Sequence, residues 1–235
     1  MPNVKAAITV NRLLSALPRV DRQRILGMCE RVELVLGDIL CEAGKTQRYV
    51  YFPTGGNISL VTPLDACPGI EVGFVGSEGM AGLPLLFGLT RSPLLNVVQG
   101  AGSALRMTAA TFRREIGRGK ALRRRLNRYA YVNMQQLALT AACVRFHVVE
   151  ARLARWLLTA QDRSRADSFH ATHEFLAYML GVRRVGITKA ATALQKQALI
   201  RYRRGNIKIL DRQGLEAKSC DCYPAAKELY ERILG

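Results

Sequence analysis

The chain has no long apolar run. None of its stretches approaches the about 18 uncharged apolar residues that a membrane span needs. The first residues, MPNVKAAITVNRLL, also lack the apolar core and the cleavage site of a signal peptide. We therefore expect a cytoplasmic protein that has no membrane as a partner. With 235 residues and 49% hydrophobic content the chain can bury a real core, and its length favours two domains.

Cysteines are too few and too scattered for a secreted disulfide scaffold. Six of them are spread over the chain, so we expect reduced thiols. Cys220 and Cys222 form the only close pair, and the sequence around them lacks two further metal ligands. We therefore predict no metal and no cofactor. Redox sensing stays open as an alternative, with Cys143 as the most interesting position because it precedes an expected hinge at residues 143–148.

Catalytic motifs are also absent. The sequence contains three histidines, none beside an obvious serine or cysteine nucleophile, and no HExxH, GxSxG or Walker pattern. Because nothing supplies a nucleophile together with its base, the sequence does not predict an enzyme.

Acidic residues are scarce, since 18 Asp and Glu stand against 35 Lys and Arg, for a net charge of +17. Residues 1–112 carry 10 basic and 8 acidic side chains, or +2; residues 113–144 carry 8 and 1, or +7; residues 145–235 carry 17 and 9, or +8. A positive field confined to the second half suits a polyanion such as nucleic acid, or an anionic membrane surface. A solvated basic surface is the alternative that charge alone leaves open.

The pattern of apolar residues changes along the chain. A helix is predicted over roughly Pro18–Arg31, opened by Asp21. Residues 34–108 then alternate short apolar stretches with Gly and Pro, which predicts closely spaced strands in a β-sandwich or barrel. From Ala109 to about Gln161 the pattern becomes that of long helices.

An apolar seam runs along this helical region. Its members recur at alternating steps of four and three, as in a two-stranded coiled coil: Ala130, Met134, Leu137, Ala141, Val144 and Val148. Such a seam packs within its own domain or against a second copy. The flank RRRLNR, residues 123–128, would repel its twin in a parallel dimer unless the chains splay or the charge is neutralised. We expect a homodimer.

The stretch LGVRRVGITKAATALQKQALIRYRRGNIKIL, residues 180–210, has eight Lys or Arg and no acidic residue. Thr172 is a good N-cap for a short helix before it, and Gly181 ends that helix in a tight turn. A second helix follows, and a hairpin turn at residues 204–206, where Gly and Asn tolerate positive φ, completes a winged helix-turn-helix. In the second helix we expect an inward face of Val185, Ala190, Ala191, Leu194 and Leu199, and an outward face of Arg183, Arg184, Thr188, Lys189 and Gln195.

This arrangement predicts binding to double-stranded DNA. The first residues of a recognition helix meet base edges in the major groove, while nearby Lys and Arg meet phosphates. Arg184 is best placed to bind guanine bidentately, and Lys189 reaches a base or a phosphate. The predicted DNA-binding residues are Thr172, His173, Arg183, Arg184, Val185, Thr188, Lys189, Arg201, Arg203, Arg204 and Lys208. The alternative is a similar module that binds only proteins.

The chain resembles transcriptional regulators of the cyclic AMP receptor protein and fumarate-nitrate reduction regulator (Crp/Fnr) family. The resemblance covers roughly residues 12–215 and is most specific at residues 172–210; GDILCEAG, YVYFPTGG and EGMAGLPLLFGLTRS carry it more loosely. It implies an α+β protein that binds a palindromic operator as a homodimer and contacts RNA polymerase. The implied domains are a cyclic-nucleotide-binding-like β jelly roll at 12–118, a dimerisation helix at 119–145, a winged helix-turn-helix at 146–217 and a C-terminal extension at 218–235.

Departures from the family pattern limit what the resemblance implies. Members that read the best-known operator open the recognition helix with Arg-Glu and carry Arg four residues after the Glu, where this chain has Arg184, Val185 and Lys189. Because Val185 accepts no hydrogen bond from cytosine but can touch a thymine methyl, we predict a different operator.

The implied effector pocket also departs from the pattern. It comprises Gly82, Leu83, Pro84, Arg91, Ser92, Leu137 and Ala138. Cyclic-nucleotide binders of the family hold the ribose with a glutamate in this turn; that acidic ligand is absent here, although Glu78 lies four residues upstream. Leu137 and Ala138 stand where cyclic AMP receptors place two hydroxyl side chains against the adenine. We therefore expect a protein that does not respond to cyclic AMP, and the effector is unknown. The cysteine group of oxygen-sensing members is missing, and His147, His170 and His173 give no support for haem.

The sequence thus predicts a homodimeric, sequence-specific DNA-binding regulator. The alternative from another class is a ligand- or redox-sensing module that acts through protein contacts, with vestigial DNA binding.

Overall fold

The computed structural model describes residues 11–64, 67–164 and 167–235. It shows an N-terminal domain built on an antiparallel sheet, a long helix, and a smaller C-terminal module of helices and a three-stranded sheet. The predicted α+β fold class is confirmed. Within the described residues, no helix combines the length and the apolarity that crossing a bilayer requires.

Two short helices begin the described chain, α1 (Arg12–Ser15) and α2 (Arg19–Leu26). Asn11 caps α1, because its side-chain oxygen accepts the N–H groups of the next turn. The helix predicted over Pro18–Arg31 was too long: it ends at Gly27, and β1 (Glu30–Leu34) follows almost at once. The strand prevails there because it pairs along its whole length with a later strand.

The N-terminal sheet contains β1, β2 (Ile39–Cys41), β3 (Tyr49–Leu64), β4 (Cys67–Val75) and β5 (Leu95–Thr108), in the order β1-β5-β3-β4, with β2 also on β5. The apolar stretches that predicted closely spaced strands are short, whereas β3 and β5 run for 16 and 14 residues. Glycines that suggested turns lie at bulges within these strands instead. At Gly56, with φ of +71°, a Cβ would lie 2.3 Å from the Gly100 carbonyl oxygen, so only glycine lets the strands approach.

The predicted long helical region is divided into three helices. They are α3 (Ala109–Arg118), α4 (Lys120–Phe146) and α5 (Val149–Ser164). The second break lies within the predicted hinge, at His147, whose backbone is extended. Side chains from α3 and α4 form one core with the N-terminal sheet and with a 3₁₀ helix at Leu83–Phe87. Helix α4 therefore belongs to the core of the N-terminal domain over its first half and extends beyond it.

The C-terminal module begins with α5. It continues with β6 (Ser168–His170), α6 (His173–Leu180), α7 (Arg184–Lys196), β7 (Ile200–Arg203), β8 (Asn206–Ile209) and α8 (Arg212–Lys218), and the sheet order is β6-β8-β7. Its core packs the helices and the inner face of this sheet around α5, and includes the only tryptophan, Trp156. This second hydrophobic core also includes Phe74 of β4, so it reaches the N-terminal sheet.

The last helix, α9 (Cys222–Leu234), returns to the N-terminal domain. Leu229, Tyr230 and Leu234 are buried in the same core as α4 and the sheet. The Tyr230 hydroxyl donates to the Glu78 carbonyl oxygen at 2.6 Å, and Arg12 pairs with Glu231 at 3.0 Å. The C-terminal residues thus bind the two halves of the chain together, which the sequence did not predict.

Candidate nucleic-acid interface

Local sequence signals define where α6, the first helix of the α6–α7 pair, begins and ends. The Thr172 hydroxyl accepts the Phe175 N–H at 3.1 Å and so caps α6. Gly181 ends α6 in the left-handed conformation, with φ of +60° and ψ of +45°, which glycine adopts without strain. Helix α7 then begins at Arg184, with Arg183 at its N-cap position. Thr172 is exposed and lies beside a cavity that α6 shares with residues of the N-terminal sheet, including Val97.

Helix α7 has one buried face and one exposed face. The buried residues are Ile187, Ala190, Ala191 and Leu194, with Leu199 following. Val185 was predicted to face inward, and this was wrong, since its side chain is 59% exposed. At about 100° per residue, position 185 lies roughly opposite the core position 187. Val185 therefore belongs to the exposed face that also carries Arg183, Arg184, Thr188 and Lys189.

The β7–β8 hairpin forms a wing beside α7. Ile200, Ile207 and Ile209 point into the core, and the exposed side chains between them are basic except for Asn206. The basic wing residues are Arg201, Arg203, Arg204 and Lys208. The turn differs slightly from the prediction: Arg204 and Gly205 take positive φ, of +49° and +82°, while Asn206 is the first residue of β8.

A small polar network joins α6, α7 and the wing. The His173 ring stacks on Tyr202, with centroids 4.4 Å apart, and its Nδ1 lies 3.1 Å from the Thr188 hydroxyl oxygen. Gln195, predicted to face outward, is half-buried and accepts the Tyr202 N–H at 2.8 Å. Burial lowers the pKa of His173, and the nearby Arg184 charge lowers it further. Burial and the neighbouring charge thus both disfavour protonation of this ring.

The basic residues of the α7 face and of the wing form a surface without ion pairs in the described part of the chain. Among the residues that the structure describes, no salt bridge includes the basic residues of the α7 face or of the wing. These residues are Arg183, Arg184, Lys189, Arg201, Arg203, Arg204 and Lys208. An uncompensated basic surface on a helix end and an adjacent hairpin attracts a polyanion.

The predicted seam on α4 is exposed from its second residue onward. Ala130 is buried in the N-terminal core, whereas Met134, Leu137 and Val144 are 63%, 44% and 39% exposed. Ala141 is also exposed, and Val148 is 72% exposed. In the preceding RRRLNR segment, Arg125 donates to the Leu234 carbonyl oxygen, while Arg123, Arg124 and Arg128 are exposed. These apolar residues form an exposed stripe on the second half of α4, whereas Val148, predicted as part of the same seam, lies beyond the break at His147.

The C-terminal module matches a known protein family. Residues 151–218 match the family model of the Crp-like helix-turn-helix domain. The C-terminal module is a Crp-like helix-turn-helix domain. The match begins in α5 and ends with α8, so it contains the helix pair and the wing.

Solved structures show the same fold over most of the chain. FixK2 from Bradyrhizobium japonicum aligns with a TM-score of 0.69 and 14% identity, over 82% of this chain and 98% of that one. TTHB099, a CRP-family transcriptional regulator from Thermus thermophilus, gives 0.66 and 18%, over 80% and 96%. The c-di-GMP responsive regulator CLP from Xanthomonas campestris gives 0.62 and 16%, over 82% and 99%. No curated protein matches the sequence. The predicted resemblance to the Crp/Fnr family is confirmed.

The residues implied as an effector pocket lie in the N-terminal domain and on α4. Gly82, Leu83 and Pro84 lie at the start of the 3₁₀ helix, where Gly82 approaches Val50. Arg91 donates to the Gly44 carbonyl oxygen at 3.2 Å, and Ser92 donates to the Leu94 carbonyl oxygen at 2.7 Å. Leu137 and Ala138 are exposed on α4, on the side of the seam. The pocket prediction therefore stays a prediction.

Two carboxylates instead connect the sheet of the N-terminal domain to α5 of the Crp-like domain. Glu71 on β4 accepts the Trp156 indole N–H at 3.0 Å and the Ser59 hydroxyl at 2.6 Å. Glu78, noted from its position near the implied pocket, pairs with Arg163 of α5 at 3.2 Å. The sequence analysis missed this contact, although the only tryptophan of the chain lies in it.

Glu71 gives this contact a pH dependence. Burial raises its pKa from 4.5 to about 7, although the hydrogen bonds from Ser59 and Trp156 and the charge of Arg163 oppose the shift. A carboxyl group whose pKa is raised in the folded state stabilises the protein fully below its unfolded pKa and loses that contribution as pH rises towards its folded pKa. The contact should therefore weaken between about pH 4.5 and about pH 7.

We predict that Glu71→Gln raises the melting temperature at pH 8 by a few degrees and changes it little at pH 5. Glutamine stays neutral and can keep both hydrogen bonds, and 1 kcal/mol corresponds to about 2–4 °C for a chain of this size. Thermal unfolding at the two pH values measures the effect. Glu33→Gln, at an exposed acidic position, is the matched control. An equal change in melting temperature at both pH values would contradict the assignment of a raised pKa to Glu71.

Three of the cysteines form a cluster with a histidine. Cys143, Cys220 and Cys222 are buried together, and His147 lies beside them. The prediction that Cys220 and Cys222 lack two further ligands nearby was wrong, because α9 brings them onto the last turn of α4. The Cys143 and Cys220 sulfur atoms are 3.5 Å apart, and this hydrogen bond lowers the pKa of Cys143 and raises that of Cys220.

Proposed function

We propose that this protein is a homodimeric, sequence-specific DNA-binding transcriptional regulator of the Crp/Fnr type that acts in the cytoplasm. The observation that carries the proposal is the exposed, acid-free face of α7 and the wing on a Crp-like helix-turn-helix domain. Double-stranded DNA with a palindromic operator is the proposed partner, with RNA polymerase as a protein partner. No reaction is proposed, because neither the fold nor the basic face calls for catalysis.

The exposed seam of α4 supports dimerisation. Met134, Leu137, Ala141 and Val144 follow one another at steps of three and four, so two copies of α4 can pack them against each other. Such a pair relates two Crp-like domains by a two-fold axis. Their recognition helices would then enter successive major grooves about one helical turn apart, and the operator would have matching symmetry.

Base recognition is assigned to the first turn of α7. Arg184 is the first residue of the helix and is exposed, which suits a bidentate contact to the O6 and N7 atoms of guanine. The exposed Val185 methyls can contact a thymine methyl, and Lys189 lies further along the same face. The four wing cations then contact phosphates, which adds affinity without base preference.

We also propose that cyclic AMP is not the effector. Arg91, the implied phosphate ligand, is bound to the Gly44 carbonyl oxygen. Glu78, the nearest acidic substitute for the ribose ligand, is paired with Arg163, and the apolar Leu137 belongs to the seam. These side chains already have other partners or exposed positions, so they support a different small ligand or none.

Selection of bound sequences from a random duplex pool tests the proposal. The purified full-length protein is used with reductant, with and without cyclic AMP. The expected result is a two-fold symmetric site with a guanine in each half, recovered equally in both conditions. Recovery only with cyclic AMP would contradict the effector proposal. No enrichment in either condition would contradict DNA binding and favour a module that acts through protein contacts.

A further inference from the structure

Four side chains with metal-binding atoms meet where α4 ends and α9 begins. Cys143 and His147 come from the last turn of α4 and its C-cap, and Cys220 and Cys222 flank the start of α9. The three sulfur atoms and one ring nitrogen all lie within 4.8 Å of one another. The Cys143 and Cys220 sulfurs are 3.5 Å apart, and the Cys222 sulfur is 3.6 Å from His147 Nδ1.

The Cys143–Cys220 and Cys222–His147 separations are close to the edges of one tetrahedral metal site, and the other ligand atoms lie within about 1 Å of that spacing. Zinc binds thiolate sulfur at about 2.3 Å and imidazole nitrogen at about 2.0–2.1 Å, so tetrahedral ligands lie about 3.8 Å apart for two sulfurs and about 3.6 Å for sulfur and nitrogen. Three cysteines and one histidine are also a ligand set of structural zinc sites. An iron–sulfur cluster would place several iron and sulfide atoms between its ligands and would hold them further apart.

The backbone fixes both ligand pairs. Cys143 lies in the last turn of α4 and His147 is the C-cap of that helix, and the His147 N–H donates to the Cys143 carbonyl oxygen at 3.1 Å. Cys220 and Cys222 flank Asp221, which precedes the first residue of α9. Two pairs held by rigid elements need little rearrangement to close around an ion.

Burial alone does not distinguish a metal site, because free cysteines commonly pack as small apolar side chains. The His147 imidazole distinguishes this cluster from buried free thiols, because it adds a nitrogen donor to three buried sulfurs. Cys143 is fully buried, and Cys220 and Cys222 are each 6% exposed.

The surroundings also suit the charge of a loaded site. Three thiolates, one neutral imidazole and Zn²⁺ carry one net negative charge. Arg152 is buried and Arg155 is half-buried on α5, and both lie close enough to interact electrostatically with Cys143. Buried charge is tolerated where opposite charge is near, so these guanidinium groups can balance the ion and its ligands.

We propose that Cys143, His147, Cys220 and Cys222 together bind one Zn²⁺ ion in a tetrahedral structural site. The ion would join the break between α4 and α5 to the start of α9. Because α9 is anchored in the N-terminal core by Leu229, Tyr230 and Leu234, the loaded site would hold the C-terminal helix, and with it the Crp-like domain, against α4. This proposal does not depend on DNA binding.

Metal analysis of the full-length protein tests the site. The protein is purified with reductant and without chelator, and zinc is measured by mass spectrometry of the acid-digested sample. We expect one zinc ion per chain. Replacement by Co²⁺ should give the visible absorption of tetrahedral cobalt with sulfur-to-metal charge transfer, saturating at one equivalent. The site is overturned if the fully reduced wild-type protein contains no zinc and gives no such cobalt spectrum.

Variants identify the ligands. Cys220→Ser and Cys222→Ser should each lower metal affinity by more than the about 10- to 100-fold typical of losing an outer-shell partner. His147→Cys should keep the metal and add charge-transfer intensity, whereas His147→Ala should lose affinity. Cys29→Ser, at a half-buried thiol outside the cluster, is the matched control and should change nothing. Unchanged zinc content in Cys220→Ser and Cys222→Ser would overturn the assignment. A Cys143–Cys220 disulfide, in protein that takes up no metal once that disulfide is reduced, would also overturn the assignment.

Discussion

Replacement of Leu137 by glutamate is expected to convert the protein from a dimer to a monomer and to abolish operator binding. Leu137 lies in the middle of the exposed seam on α4, 44% exposed in a single chain. In a two-fold symmetric pair the two new carboxylates would be buried close together without partners. Leaving such charge uncompensated costs at least about 3 kcal/mol, or about two decades in the dimer dissociation constant.

Sedimentation equilibrium measures the association, and titration of a labelled operator measures DNA binding. Operator affinity should fall at least as far as dimerisation, because each chain alone can occupy only one half-site. Ala142→Glu is the matched control, since Ala142 is exposed on α4 but is not a seam residue. A Leu137→Glu protein that remains dimeric, or that binds the operator as tightly as the wild type, would contradict the assigned interface.

Replacement of Arg184 by alanine is expected to remove the preference for guanine in each half of the operator. Arg184 is exposed at the start of α7 and has no salt-bridge partner among the described residues. Truncation should therefore leave the fold intact and remove only the DNA contact. A bidentate Arg–guanine pair contributes about 1–3 kcal/mol of discrimination, so the loss should be about 5- to 150-fold per half-site.

A substitution in the wing serves as the control for Arg184→Ala. Arg201 is exposed on β7, where a phosphate contact is expected. Arg201→Ala should weaken binding to all sequences by a similar factor and leave base preference unchanged. Selection from a random pool with both variants separates the two effects. Retained guanine preference in Arg184→Ala would move base recognition to another residue of α7.

Local sequence signals predicted the Crp-like domain well. Thr172 and Gly181 act within one turn of the chain, so cap and turn chemistry identifies them without tertiary information. Val185 was misplaced because its apolar character was taken to indicate burial, whereas the phase of the helix is set by Ile187, Ala190, Ala191 and Leu194. The first helix was predicted too long because the pairing that makes Glu30–Leu34 a strand involves residues more than 60 positions away.

Contacts between distant segments could not be predicted from the sequence. Cys143 and Cys220 are 77 residues apart, and only the packing of α9 on α4 places them together. The hydrogen bond from Trp156 to Glu71 spans 85 residues and joins α5 of the Crp-like domain to β4 of the N-terminal sheet. Composition and periodicity describe each element by itself, so they give no information about such pairings. The contact between domains and the cysteine cluster therefore emerged only from the structure.

The most direct test of base recognition by α7 is a four-way affinity measurement. Wild-type protein and Arg184→Ala are each titrated against the selected operator and against a version in which the half-site guanines are replaced by 7-deazaguanine, which lacks N7. Loss of N7 should weaken the wild-type complex and leave the Arg184→Ala complex unchanged, because the Arg184 guanidinium donates to that atom. An equal loss for both proteins would show that Arg184 does not read this base and would contradict the proposed recognition.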